Sequence, residues 1–245
     1  MTCENGETLG AGILMTELIR RGRGKRILVL GLKSMLGQLQ REFWQRFTIP
    51  LTRLDSIGLQ RIRNTIPTNH NPFHHIDRAI ISIDTLKQSL EYRHYLETCH
   101  WDIVVIDEAH NVARRSSNSQ RHRLAERLCT RCDAMLMLSA TPHDGRPESF
   151  ASLIRMLDPT AIPNPSSYAA EDYRDKGLVI RRFKADVAKQ LRTALPERVV
   201  HPRFVPASLP ENHAFETVRS SMSPRSSVPT ARRTTASPGS SSSAR

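Results

Sequence analysis

The chain has 245 residues, 38% of them hydrophobic, enough for one large domain or a domain and a half. Lys and Arg number 36 against 24 Asp and Glu, so the formal net charge is +12 and a polyanionic partner is favoured over a basic one. No apolar run approaches the ~20 residues that span a bilayer, so no membrane partner is expected, and residues 1–12 lack the apolar core of a signal peptide. Cys3, Cys99, Cys129 and Cys132 are too few and too unevenly spaced for a disulfide framework, which implies a reducing, cytoplasmic setting.

Residues 10–21 carry apolar positions at three- and four-residue intervals and predict a helix. Its basic end, Arg20, Arg21, Arg23, Lys25 and Arg26, reads equally well as a solvated helix terminus and as a phosphate contact. A short apolar run at 26–32 predicts a buried strand, and 34–47 a second helix on which Phe43, Trp44 and Phe47 read as core packing rather than a base-stacking platform. The stretch 49–78, with Pro50, Pro67 and Pro72, predicts a short strand, a short helix and a loop; His70, His74 and His75 fall in that loop without matching carboxylates or thiols. Further strands are predicted at 79–83, 102–106 and 134–138, with helices at 86–98 and 124–129 between them. Cys129 and Cys132 have half-site metal spacing with no second pair, and read as free, half-buried thiols. From residue 218 the composition turns to Ser, Arg, Thr, Pro and Ala with no acid and no aromatic, which predicts a disordered tail, read as solvated or out-of-frame sequence before a basic arm. Without that tail's five arginines the rest of the chain still carries +7.

Short apolar strands alternating with amphipathic helices define an α/β fold with a parallel sheet covered on both faces. In such a sheet ligands bind beyond the carboxyl ends of the strands. Polar residues stand at each of those ends: Lys33-Ser34, Asp84-Thr85, Asp107-Glu108-Ala109-His110 and Ser139-Ala140-Thr141. An acidic pair closing an Ile/Val strand is the arrangement in which one carboxylate holds magnesium and the next orients the water that attacks a γ-phosphate. A solvated helix start is the plain alternative for adjacent acids.

In this order, residues 27–36 (motif Ia), 80–86 (motif Ib), 104–110 (motif II, ending Asp107-Glu108-Ala109-His110), 138–145 (motif III, Leu-Ser-Ala-Thr-Pro-His-Asp-Gly) and 180–187 (Ile-Arg-Arg-Phe-Lys-Ala-Asp-Val) resemble the first RecA-like lobe of superfamily 2 helicases and translocases, specifically the SNF2-like, RapA-related ATPases. The resemblance implies a P-loop NTPase fold and ATP with magnesium as cofactors. It assigns Asp107 and Thr8 to magnesium and Glu108 to the general base. His110, Ser139, Ala140 and Thr141 become coupling residues, and Lys33, Ser34 and Thr85 lie near the nucleic-acid backbone. The family's phosphate loop reads Asp-Glu-x-Gly-x-Gly-Lys-Thr; here the stretch is Met1-Thr2-Cys3-Glu4-Asn5-Gly6-Glu7-Thr8. Gly6 and Thr8 fit, whereas Glu4 stands at a glycine position and Glu7 at that of the phosphate-binding lysine.

The expectation is therefore the ATP-binding lobe of an SNF2-like helicase or translocase acting on nucleic acid, most readily double-stranded DNA, in a weakly active or inactive form. Residues 1–205 form the lobe, truncated at its N-terminus, 206–217 a linker and 218–245 the tail; the second RecA-like lobe is missing from the chain. The alternative is a non-catalytic nucleic-acid-binding or regulatory protein that keeps the fold. A zinc hydrolase built on His110 lacks the spaced second histidine.

Overall fold

Isoleucine, valine, leucine and methionine dominate four short runs, and in the computed structural model each run is a strand of one parallel sheet. The structure describes residues 4–67, 70–88, 90–114, 119–141, 146–181 and 201–221. The strands are β1 (Ile27–Gly31), β2 (Thr52–Arg53), β3 (Arg78–Ser82), β4 (Trp101–Ile106) and β5 (Cys132–Met137). Their spatial order is β2-β3-β1-β4-β5, with every neighbour pair parallel. β2, two residues long, is the strand expected in the irregular stretch 49–78.

Successive side chains of a strand point to opposite faces, and the core divides accordingly. Ile27, Val29, Ile80, Ile103 and Val105 bury one face with α1 (Glu4–Arg20) and α2 (Leu36–Phe47). Leu28, Leu30, Ile81, Val104 and Ile106 bury the other, with α4 (Ile83–Gln88), α5 (Leu90–Glu97) and α6 (Gln120–Cys129) among the covering elements. Between β2 and β3, α3 (Ser56–Arg63) is capped by the Asp55 carboxylate, which accepts from the Gly58 amide at 2.9 Å. The expected helix at 86–98 is two helices, α4 and α5. The expected helix at 10–21 begins at Glu4, because the packing of Ala11 and Met15 on the sheet outweighs the low helix propensity of the glycines before them.

Three helices lie beyond those expected, the third in the stretch read as linker and tail. α7 (Pro147–Leu157) and the short α8 (Glu171–Arg174) build a small third core in which Phe150 meets Tyr173 edge-on, ring centroids 5.1 Å apart. α7 has Pro at its first position and Phe150, Leu153 and Ile154 on its buried face, a regular helix signal. The chain separates into two units, Met1–Arg182 and Phe183–Arg245. In the second, α9 (Leu209–Ser221) exposes Leu209, Phe215 and Val218 and crosses the boundary expected between linker and tail. The rest of the expected tail, 222–245, lies outside the described residues.

Of the three aromatics expected in the core, Phe43 is fully buried and Phe47 packs against it at 6.4 Å, but Trp44 is 54% exposed. Position 44 lies one residue off the buried stripe of Leu36, Leu39 and Phe43 and faces outward.

Trp101 is the largest fully buried side chain, edge-on to Phe73 at 6.5 Å, with the Arg26 guanidinium 4.7 Å from its ring centre. Trp101→Ala is expected to cost about 3–5 kcal/mol, read as a lower urea midpoint with an unchanged slope. Asp158 gives a pH signature. The Thr160 hydroxyl and amide, with the Lys176 ammonium, hold its carboxyl at about 2. A depressed carboxyl stabilises the fold above its ordinary value and loses that contribution as pH falls towards 2. The melting-temperature difference between the parent chain and Asp158→Asn should shrink between pH 4 and pH 2.

Candidate functional site

β1 leads through α2 back to β2 on one side, while β4 leads through α6 to β5 on the other. The two connections leave the sheet over opposite faces, and a crevice opens between the carboxyl ends of β1 and β4, the place where open α/β sheets bind ligands. Glu7 and Thr8 from α1, Gln38 from α2, Asp107 and Glu108 from the end of β4, and Ala140 from beyond β5 line it. Its enclosed volume is about 20 Å³, room for a water molecule.

The floor is fixed by backbone hydrogen bonds between strand ends. The Asp107 amide donates to the Leu30 carbonyl at 2.8 Å, that of Leu138 to Ile106 at 2.9 Å, and that of Ala109 to Leu138 at 2.8 Å. Glu108 sits at φ +50° and ψ +52°, a left-handed conformation that costs a non-glycine residue about 1 kcal/mol. Asn111 holds it there: its backbone amide and its side-chain amide both donate to the Glu108 carbonyl, at 2.9 and 3.2 Å.

This turn places three expected residues in contact. His110 Nδ1 is 3.0 Å from Glu108 Oε2 and 3.3 Å from Ser139 Oγ. An ionised carboxylate only accepts, so the proton of this contact belongs on Nδ1, with Ser139 Oγ as a weaker second neighbour. One imidazole thereby joins the acidic turn after β4 to the hydroxyl after β5. The far side of the turn is also held, since the buried His122 ring approaches the Val112 carbonyl at 3.0 Å.

The remaining expected residues are distributed along the same edge. Lys33 and Ser34 are exposed in the turn after β1, and Thr85 is half-buried in the first turn of α4. Beside Thr85, Asp84 accepts from Arg121 Nε and a terminal nitrogen at 2.9 and 2.6 Å. Thr141 is exposed and does not line the crevice; 142–145 lie outside the described residues, as does all of the 180–187 motif except Ile180 and Arg181. Gly6 was expected in a phosphate loop but lies inside the first turn of α1, because the helix already runs from Glu4; it is exposed and does not line the crevice. Gln38, Asn111, Arg121 and His122 were not singled out from the sequence. Only their positions beside the motifs, on otherwise ordinary helices and turns, could have marked them.

Thr8 and Asp107 have the oxygen chemistry of a magnesium site and share the crevice. The phosphate end does not fit a nucleotide triphosphate. Glu7 adds a third carboxylate to those of Asp107 and Glu108, and no lysine or arginine is among the described residues lining the crevice.

A parallel sheet covered on both faces, with an acidic pair at its topological switch point, defines a RecA-like α/β lobe of the nucleotide-hydrolase class. The chain belongs to the SNF2-related domain family, whose model matches residues 6–242. It is 29% identical over 190 residues to the RNA polymerase-associated protein RapA of Sodalis glossinidius, covering 75% of this chain and 19% of that protein. To RapA of Photobacterium profundum it is 25% identical over 225 residues, 87% of this chain and 23% of that one. The chain thus spans about a fifth of the length of these relatives. Among solved structures it is similar to the Sulfolobus solfataricus SWI2/SNF2 ATPase core in complex with double-stranded DNA, with a TM-score of 0.56 and 18% identity over 76% of this chain and 40% of that one. The ATPase core domain from the same organism gives a TM-score of 0.53 at 16% identity. Among the described residues no helix is long and apolar enough to cross a membrane.

Cys129 and Cys132 are free and half-buried. Burial, with the neighbouring Cys129 and Asp133, pushes Cys132 up to about 11. At pH 8 roughly a thousandth of it is then thiolate. Iodoacetamide should alkylate Cys132 at least tenfold more slowly in the folded chain than in urea, as read by peptide mass spectrometry.

Proposed function

We propose that this chain is the ATP-binding lobe of an SNF2-like, DEAH-containing translocase of double-stranded DNA, in a form whose phosphate end is disabled. The observation that carries the reading is the crevice at the β1/β4 switch point, where Thr8, Asp107 and Glu108 converge and His110 ties the acidic turn to Ser139. In this reading Thr8 and Asp107 are the magnesium residues, Glu108 is the general base, and His110 with Ser139, Ala140 and Thr141 couples the site to movement. Lys33, Ser34 and Thr85, on the same edge, face the nucleic-acid backbone. Translocation would work against a second RecA-like lobe, and the cytoplasm is the setting that the cysteine content favours.

Glu7 decides how far the chemistry proceeds. A unit pair at ~4 Å in an effective dielectric of ~20 interacts by about 4 kcal/mol. Turning that from attraction to repulsion weakens triphosphate binding by well over tenfold even after screening. The same observation favours a second reading, a nucleic-acid-binding or regulatory protein that keeps the fold without catalysis.

Titration with fluorescent ATP and magnesium separates the two. Expected is weak binding by the parent chain and at least tenfold tighter binding by Glu7→Lys. DNA binding that ignores nucleotide in both proteins would select the non-catalytic reading. The parent chain should show negligible DNA-stimulated ATP hydrolysis; turnover near one per second, abolished by Glu108→Gln, overturns the disabled-site reading.

A further inference from the structure

The basic run at the end of α1 has no part in the crevice, and the sheet carries it to the opposite edge. Because the strands are parallel and in register, their amino ends lie together: Ile27 pairs with Arg78 on one side and Ile103 on the other, and Trp101 pairs with Cys132. That register gathers Arg23 and Lys25, which precede β1, with Arg78 at the start of β3 and Arg131 just before β5. Among the described residues none of these four side chains is held in an ion pair.

The local acids are largely committed elsewhere. Asp102 accepts the backbone amides of Lys25 and Arg26 at 2.6 and 2.9 Å, so its charge orders the loop and leaves the Lys25 ammonium free. Asp133 meets His100 at 2.9 Å and Glu17 meets Arg21 at 2.7 Å. Among the described residues Asp77 is a further exposed carboxylate at this edge.

The loop is also rigid. α1 ends with the Arg23 amide donating to the Leu18 carbonyl at 2.8 Å around Gly22, whose φ of +73° favours glycine. Gly24 is buried so closely that a Cβ would lie 2.8 Å from the Ile19 side chain and 3.2 Å from that of Ile103. Arg26 turns inward, donating to the Phe73 and His100 carbonyls at 2.6 and 3.0 Å over the Trp101 ring, and no carboxylate meets its guanidinium. Its charge adds to the field at this edge. Because the backbone that carries these cations is already held, meeting a polyanion orders only their side chains.

We propose that this amino-end edge, presented by Arg23, Lys25, Arg78 and Arg131, is a second nucleic-acid face that grips the sugar-phosphate backbone, opposite the edge that carries Asp107. It rests on the reading that nucleic acid is the partner and adds a contact surface to it. Contacts of this kind position a duplex without reading its sequence.

Lysine acetylation of the parent chain, with and without a 25-base-pair DNA duplex at low salt, tests it. Lys25 should react at least fivefold more slowly with the duplex present, the protection should vanish in 0.5 M sodium chloride, and Lys176, bound to Asp158, should be unaffected. Protection of Lys33 with Lys25 unchanged overturns this proposal and leaves the DNA reading standing. No protected lysine and no binding of the duplex overturns both. In Lys25→Glu/Arg131→Glu, checked for folding by circular dichroism, affinity should fall at least tenfold and the salt slope by roughly two, one for each phosphate no longer neutralised. Unchanged affinity and slope also overturn it. A duplex RNA of the same sequence distinguishes the source of the backbone: equal protection places its phosphates alone on this edge, and an effect confined to DNA identifies the DNA form as the ligand.

Discussion

Parallel pairing of β1 with β4 is the constraint on which the rest of the lobe depends. Parallel neighbours cannot be joined by a tight turn, so each connection crosses over the sheet and brings a helix back against it. At this one pair the crossovers diverge, α2 returning towards β2 and α6 leading away to β5. The carboxyl ends therefore open on a gap with helix starts around it, and the amino ends lie side by side in register. Both candidate surfaces follow from that asymmetry: an acidic crevice at one edge, a basic row at the other.

Around the crevice the floor is held by the backbone. Asp107, Ala109 and Leu138 are tied across strand ends by main-chain hydrogen bonds that no side-chain replacement removes. The left-handed turn at Glu108 is secured through its carbonyl, again without using its carboxylate. The carboxylate at position 7 adds negative charge to a crevice whose floor is held by bonds in which its side chain takes no part. The chain keeps an SNF2-related lobe with a third carboxylate, Glu7, in the lining of its crevice.

Much of this was legible in the sequence. The four buried strands could be read because strands covered on both faces are continuous apolar runs, and the crevice because chemically useful residues closed each of them. The start of α1 was not, since Gly6 and Gly10 argue locally against helix and only the burial of Ala11 and Met15 overrides them. Trp44 was misplaced because aromatic character says nothing about which side of a helix a residue occupies. Nor could the sequence supply Asn111 or His122, whose contribution is a hydrogen bond to a carbonyl and has no signature in residue type. The basic run was visible but ambiguous; the register that sets Arg78 and Arg131 beside it belongs to the tertiary structure alone.

Glu7 has a genetic side as well. Glutamate and lysine codons differ by one transition at the first base, so the smallest change a gene can undergo replaces one of the three carboxylates lining this crevice with a cation. The surrounding geometry, anchored in main-chain bonds, would be ready for either residue. The reverse step is equally short, and the main-chain bonds around Asp107, Ala109 and Leu138 do not depend on which of the two residues stands at position 7.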